Sequence, residues 1–140
     1  MQSVDSPVEY LTEEECWQLL RGQTLGRIAT SAGGVVDIFP INYYADGSSI
    51  LFRTAPGDKL AELTINEKVV FEVDGYTDTV AWSVIAKGTA QALDRQPEID
   101  EAEALPLRPW IPTMKSEYVR ITPHTLSGRR FERGPEPQWF

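Results

Sequence analysis

Short runs of alternating apolar and polar residues, each closed by a turn signal, fill most of this chain and constrain its fold more than any other feature. Residues 24–30 alternate small and branched side chains, Ser31-Ala32-Gly33-Gly34 turns the chain, and 35–44 forms a second run. Ala45-Asp46-Gly47-Ser48 is a further turn, with Asp-Gly suited to a tight hairpin, and 50–54 follows as a third strand. More strands are expected at 68–73 and 80–92, joined by a turn around Gly75, and at 117–122 and 126–131. Helices are few. Thr12 and Glu15 spell a capping box at the head of a helix that Gly22 stops, with Cys16, Trp17 and Leu20 as its apolar stripe. Leu60, Leu63 and Ile65 predict a short helix over 59–65, and one helical turn is expected at 98–104. Residues 1–10 read as an arm and 134–140 as an irregular tail. The pattern is mainly β, with six or seven strands and two or three short helices. It fits a closed or nearly closed antiparallel barrel, and it fits a sandwich equally well.

At 140 residues the chain is expected to be a single domain, 1–140. A deep cavity inside one copy would use up much of its core, so a cofactor site between two copies is easier to build. The formal charge of −8 repels nucleic acid and anionic membranes, so neither is expected as a partner. The same field makes any local cluster of cations informative. Cys16 is the lone cysteine, which excludes an internal disulfide and a cysteine-based metal site. No run is long enough to span a bilayer, and the acidic N-terminal segment lacks the basic and apolar regions of a signal peptide. A cytoplasmic location is the expectation.

The stretch richest in chemistry is Phe52-Arg53-Thr54-Ala55-Pro56-Gly57-Asp58-Lys59-Leu60, where a strand hands over to a helix. A helix start offers free backbone N–H groups and partial positive charge to an anion. Arg53 can present two parallel donors to phosphate oxygens, Lys59 adds a point charge, and Thr54 adds a hydroxyl. The same residues also fit a surface Arg and Lys flanking an ordinary turn. In Phe39-Pro40-Ile41-Asn42 the proline removes one ladder donor, which suits either a strand edge that meets a flat ligand or a plain edge strand with a bulge. Trp82-Ser83 sits on a strand and could cover and hydrogen-bond an aromatic ligand, or simply pack. None of Cys16, His124 or the serines falls in a recognisable triad, so no catalytic side chain is assigned.

These segments, taken in order, resemble the pyridoxamine 5′-phosphate oxidase-like FMN-binding split barrels, in particular the short bacterial branch with the nitroimidazole-reductase-like proteins. The likeness runs over residues 11–131. It is carried by Gly26-Arg27-Ile28-Ala29-Thr30, residues 37–43, Asp46-Gly47 through 52–60, Trp82-Ser83-Val84 with Gly88, and the closing Val119-Arg120-Ile121-Thr122-Pro123 with Ser127-Gly128-Arg129-Arg130. The resemblance implies a six-stranded antiparallel split β-barrel of Greek-key type that forms a homodimer with flavin in grooves between the subunits. It implies that Arg53, Thr54 and Lys59 hold the FMN phosphate, that the backbone of Phe39, Pro40, Ile41 and Asn42 faces the isoalloxazine, and that Ser83 and Trp82 approach from a neighbouring strand. The implied activity is an FMN-dependent oxidoreductase acting on a small-molecule substrate, with NAD(P)H as a candidate donor. An F420-dependent reductase, with the deazaflavin F420 in the same fold, and a non-catalytic flavin- or haem-binding protein are the alternatives. The Arg, His and Tyr residues that grip pyridoxine phosphate in the longer oxidases have no match here, so vitamin B6 oxidation is not expected. His124 reads as an exposed turn residue. Arg129-Arg130 reads either as a cofactor contact or as an ion-pair partner. Phe39, Tyr43, Trp110 and Trp139 are candidates for a dimer interface.

Overall fold

A computed structural model describes residues 7–55, 58–107 and 117–134, without the side chains of Asp58, Lys59, Leu60 and Thr64. Trp110, the Pro56-Gly57 step and the Trp139-Phe140 pair lie outside the described residues. The elements are β1 (Val8–Tyr10), α1 (Glu13–Arg21), β2 (Leu25–Ala32), β3 (Val35–Ala45), β4 (Ile50–Thr54), α2 (Asp58–Ile65), β5 (Lys68–Tyr76), β6 (Val80–Ala92), α3 (Gln96–Glu103) and β7 (Glu117–Glu132). All described pairings are antiparallel, in the order β1-β7-β4-β3-β2-β5-β6, and β6 pairs again with β7. Six strands therefore return on themselves as a barrel, the expected split-barrel class, and β1 adds a short seventh at the edge of β7.

The turns follow from the residues that make them. Gly33 and Gly34 at the β2–β3 hairpin and Gly47 before β4 have φ of 58°, 80° and 92°, where a side chain is strained. The Asp46 carboxylate accepts from the backbone N–H of Ser48 (2.9 Å) and Ser49 (2.6 Å) and from both serine hydroxyls. Burial pushes that carboxyl up, but the four hydrogen bonds outweigh it and hold it below the usual range.

Alternate residues of each strand fill the barrel. Ile28, Ile41, Tyr43, Phe52, Phe71, Val84, Val119 and Ile121 form one buried cluster, with Tyr43 and Phe71 meeting edge-on at 4.9 Å between ring centres. A smaller cluster outside the barrel packs Ala102 of α3 and the following Leu107 against Leu51 and Tyr118. At one mouth of the barrel α1 is capped as expected: Thr12 and Glu15 exchange hydrogen bonds, and Gly22 follows the last turn. Its stripe of Cys16, Trp17 and Leu20 is buried, and the Tyr43 hydroxyl donates to the Leu20 carbonyl at 2.6 Å. α2 packs at the other end of β2, where the Thr30 hydroxyl donates to the Glu62 carboxylate and Leu63 enters the core.

Four local expectations need correction. The arm contains β1, because the extended backbone of Val8, Glu9 and Tyr10 finds the free edge of β7. Gly75 lies inside β5 rather than at a turn; it leaves room for the Trp82 indole, which a Cβ would approach to 2.7 Å. The 98–104 turn is a full helix starting at Gln96, because Pro97 suits a first helical turn. The two closing strands are one strand of 16 residues. Pro123 does not break it, since the register slips at this point: Lys87 pairs with Thr125 and Gly88 with Pro123, and His124 is the extra residue of a bulge. His124 is thus in a strand, not in a turn.

Candidate functional site

The candidate site begins with the strand that ends it. Along β4, Ile50 and Phe52 point into the barrel, so Arg53 points outward, over the Tyr118 ring at 5.3 Å. Thr54 turns back inward and is buried, its hydroxyl donating to the Ala55 carbonyl at 3.2 Å. α2 opens at Asp58, which puts Lys59 in its first turn.

The neighbouring strand supplies the second component. β3 pairs with β2 along its length, but β4 meets it only from Tyr43 to Ala45. The stretch that includes Phe39, Pro40 and Ile41 thus borders no second strand among the described residues. Pro40, which lacks an N–H, sits on that edge and is exposed, Ile41 is buried, and Phe39 packs against the core. The Asn42 side chain donates to the Thr24 carbonyl at 3.4 Å. Phe52 lies opposite Tyr43, so Arg53 stands level with Asn42. Arg53, Thr54, the start of α2 and the stretch of β3 that precedes its pairing with β4 therefore share one flank of the barrel.

Trp82 and Ser83 do not join that flank within one chain. They lie on β6, separated from β3 by β2 and β5, about 14 Å away at the usual strand spacing. Ser83 faces outward between Asp74 and Arg129. It borders two adjoining grooves: one of about 470 Å³ with Tyr76, Trp82, Phe131 and Arg133, and one of about 220 Å³ with Tyr10 and Arg129. Arg133 stacks on the Tyr76 ring at 4.8 Å and donates to the Thr77 carbonyl at 2.6 Å.

The arginine pair divides. Arg130 is an ion-pair partner, holding Glu9 through two nitrogens and reaching Glu15 at 3.7 Å, so it ties β1 and α1 to β7. Arg129 is exposed and makes no ion pair with a described residue.

Sequence reasoning missed a charged cluster on the outer face. Arg27 bonds Glu72 at 3.0 Å and lies 3.6 Å from Asp74. Burial and a hydrogen bond shared with Asp74 push the Glu72 carboxyl up, and Arg27 opposes this. The alternation of β5 puts Glu72 and Asp74 on one face and was the signal available. Among the described residues no three His, Cys, Asp or Glu side chains gather as a metal site, and no helix is long and apolar enough to cross a membrane.

A family profile described as pyridoxamine 5′-phosphate oxidase matches residues 12–130. The chain belongs to that family. Among its relatives, an uncharacterised protein of Mycobacterium tuberculosis is 43% identical over 91 residues, 65% of this chain and 83% of that one. The structure of a Corynebacterium glutamicum protein named as a candidate pyridoxamine 5′-phosphate oxidase is 42% identical, with a TM-score of 0.88 over 96% of this chain and 100% of that chain. That of a Mycobacterium smegmatis protein named for FAD binding is 37% identical, with a TM-score of 0.76 over 89% and 98%. This chain is therefore one more pyridoxamine 5′-phosphate oxidase family barrel, and its site must be judged on its own residues.

Proposed function

We propose that this protein binds a flavin non-covalently and works as an oxidoreductase. The observation that carries the reading is the convergence of Arg53, Thr54, the start of α2 and the stretch of β3 that precedes its pairing with β4 on one flank. The 37%-identical relative named for FAD binding supports it. FMN is the smallest flavin that carries a phosphate, and FAD carries the same phosphate and ring.

A flavin phosphate is costly to desolvate unless paired. Arg53, steadied by its contact with Tyr118, supplies the main counter-charge, Lys59 adds a second, and the start of α2 adds the partial positive charge of the helix dipole. The backbone of Phe39, Pro40, Ile41 and Asn42 borders the ring system and excludes water from one side of it. Bound flavin supplies hydride and electron transfer, so the protein needs no nucleophile of its own. Trp82 and Ser83 reach the ring from a second copy of the chain, which makes the working unit a homodimer. That assignment accounts for their distance from Arg53 within one copy.

The test is direct. The purified protein shows flavin absorption, or gains it on titration with FMN or FAD, and loses it in the Arg53→Ala, Lys59→Ala double variant. Parallel titration with F420 decides between flavin and deazaflavin, and stopped-flow mixing with NADH or NADPH separates an enzyme from a store. A colourless protein that takes up none of the three cofactors refutes the reading.

A further inference from the structure

One cleft on the described surface lies outside the proposed flavin flank and is unused by it. It has a volume of about 510 Å³, within the usual range for small-molecule sites. Ala29, Val36 and Val70 give it an apolar wall, and Val36 is 73% exposed, so this apolar surface is open. The rim is cationic. Lys68 on β5, Lys87 on β6 and His124 on β7 all border the cleft. Lys87 pairs with Val70, two residues along from Lys68, so the two ammonium groups project from the same face of neighbouring strands. Neither lysine side chain nor the imidazole has a hydrogen-bond or ion-pair partner among the described residues. In a chain of charge −8, two lysines without an ion-pair partner among the described residues stand together on this rim, with the imidazole beside them.

The backbone is shaped to put His124 there. The register slip leaves His124 without an opposite residue on β6, and a bulge of this kind re-aims the extra side chain. Gly88 makes the slip possible, since a Cβ there would lie 2.1 Å from the Thr122 carbonyl oxygen. The only imidazole of the chain is thereby set on the cleft rim beside Lys87.

We propose that this cleft binds a small organic anion with an apolar body and one carboxylate head, the body against Ala29, Val36 and Val70 and the carboxylate between Lys68, Lys87 and His124. Charge complementarity picks this occupant: an apolar floor alone would take a neutral ligand equally well, and the lysines would then gain nothing from the site.

The inference does not rest on flavin binding, and its test is independent. The native chain is titrated with the fluorescent probe 8-anilinonaphthalene-1-sulfonate, which is then displaced with decanoate or with decanol. Decanoate displaces the probe at a concentration about tenfold below that needed for decanol. The Lys68→Glu, Lys87→Glu variant loses about tenfold in decanoate affinity, the factor equal to about 1.4 kcal/mol, with its melting temperature retained. Val70→Glu, which places a carboxylate on the apolar wall, abolishes displacement, and Arg53→Ala leaves it unchanged. If the glutamate pair melts early, the Lys68→Gln, Lys87→Gln pair serves in its place. Equal displacement by acid and alcohol, an unchanged affinity in the lysine variants, or no saturable probe binding because a second copy covers the cleft would each overturn the proposal. Loss of flavin uptake with decanoate binding intact counts only against the flavin reading.

Discussion

The two helices at opposite ends of β2 are nearly the same length, nine residues in α1 and eight in α2, and are built for different ends. α1 is closed at both termini by its own residues: Thr12 and Glu15 satisfy the first turn, and the Gly22 N–H returns to the Gln18 and Leu19 carbonyls. Its apolar stripe seals the core, and Tyr43 reaches up to bond its last turn. α2 puts Leu63 into the core and anchors Glu62 on Thr30, but its first turn begins four residues after Thr54 at the end of β4. In the proposed reading, the start of α1, satisfied from within, adds stability, and the start of α2 adds binding to an anion.

That contrast can be broken by experiment. The largest expected effect is at the sealed end: Leu20→Ala, at a fully buried site, lowers unfolding free energy by about 2–5 kcal/mol in urea titrations. Equal destabilisation from truncating exposed Ile65 in α2 would erase the distinction. Next, Arg53→Ala costs about 1.5–3 kcal/mol in flavin affinity, as for a charge-assisted hydrogen bond, with little change in melting temperature. Titration calorimetry checks this, and a large fall in stability without loss of affinity would make Arg53 a packing residue. Thr12→Ala costs roughly 1 kcal/mol of stability by removing the cap and leaves flavin affinity alone.

The smallest effect is Tyr43→Phe, about 0.5–1 kcal/mol, because the Leu20 carbonyl keeps a long bond from the Gln23 N–H at 3.4 Å. It also carries a pH signature. Burial raises the Tyr43 hydroxyl above its ordinary value, so the folded chain holds that proton more tightly than the unfolded chain does. The contribution is full below about pH 10, the unfolded tyrosine value, and declines as pH climbs past it. Denaturant midpoints measured from pH 8 to 11 should fall more steeply in the wild type than in Tyr43→Phe.

Local chemistry was legible in the sequence wherever a residue acts on its own neighbours. The capping box at Thr12 and Glu15, the glycine turns and the run at 50–54 depend on contacts a few residues apart, and the family likeness ordered them into a barrel. What escaped depends on distant partners. The continuity of β7 through Pro123 is decided by β6, the room at Gly75 by Trp82, and the strand character of Val8, Glu9 and Tyr10 by a residue run more than 110 positions away. For the candidate site, the types Arg53, Thr54 and Lys59 were readable, but the separation of Trp82 and Ser83 from them follows from strand order, which periodicity does not encode.

β7 borders β1, β4 and β6 at once. During translation these three strands leave the ribosome long before the segment that joins them, so the barrel cannot close until β7 begins to emerge. A nascent chain halted before residue 117 would expose the bare rims of β4 and β6 as templates for self-association.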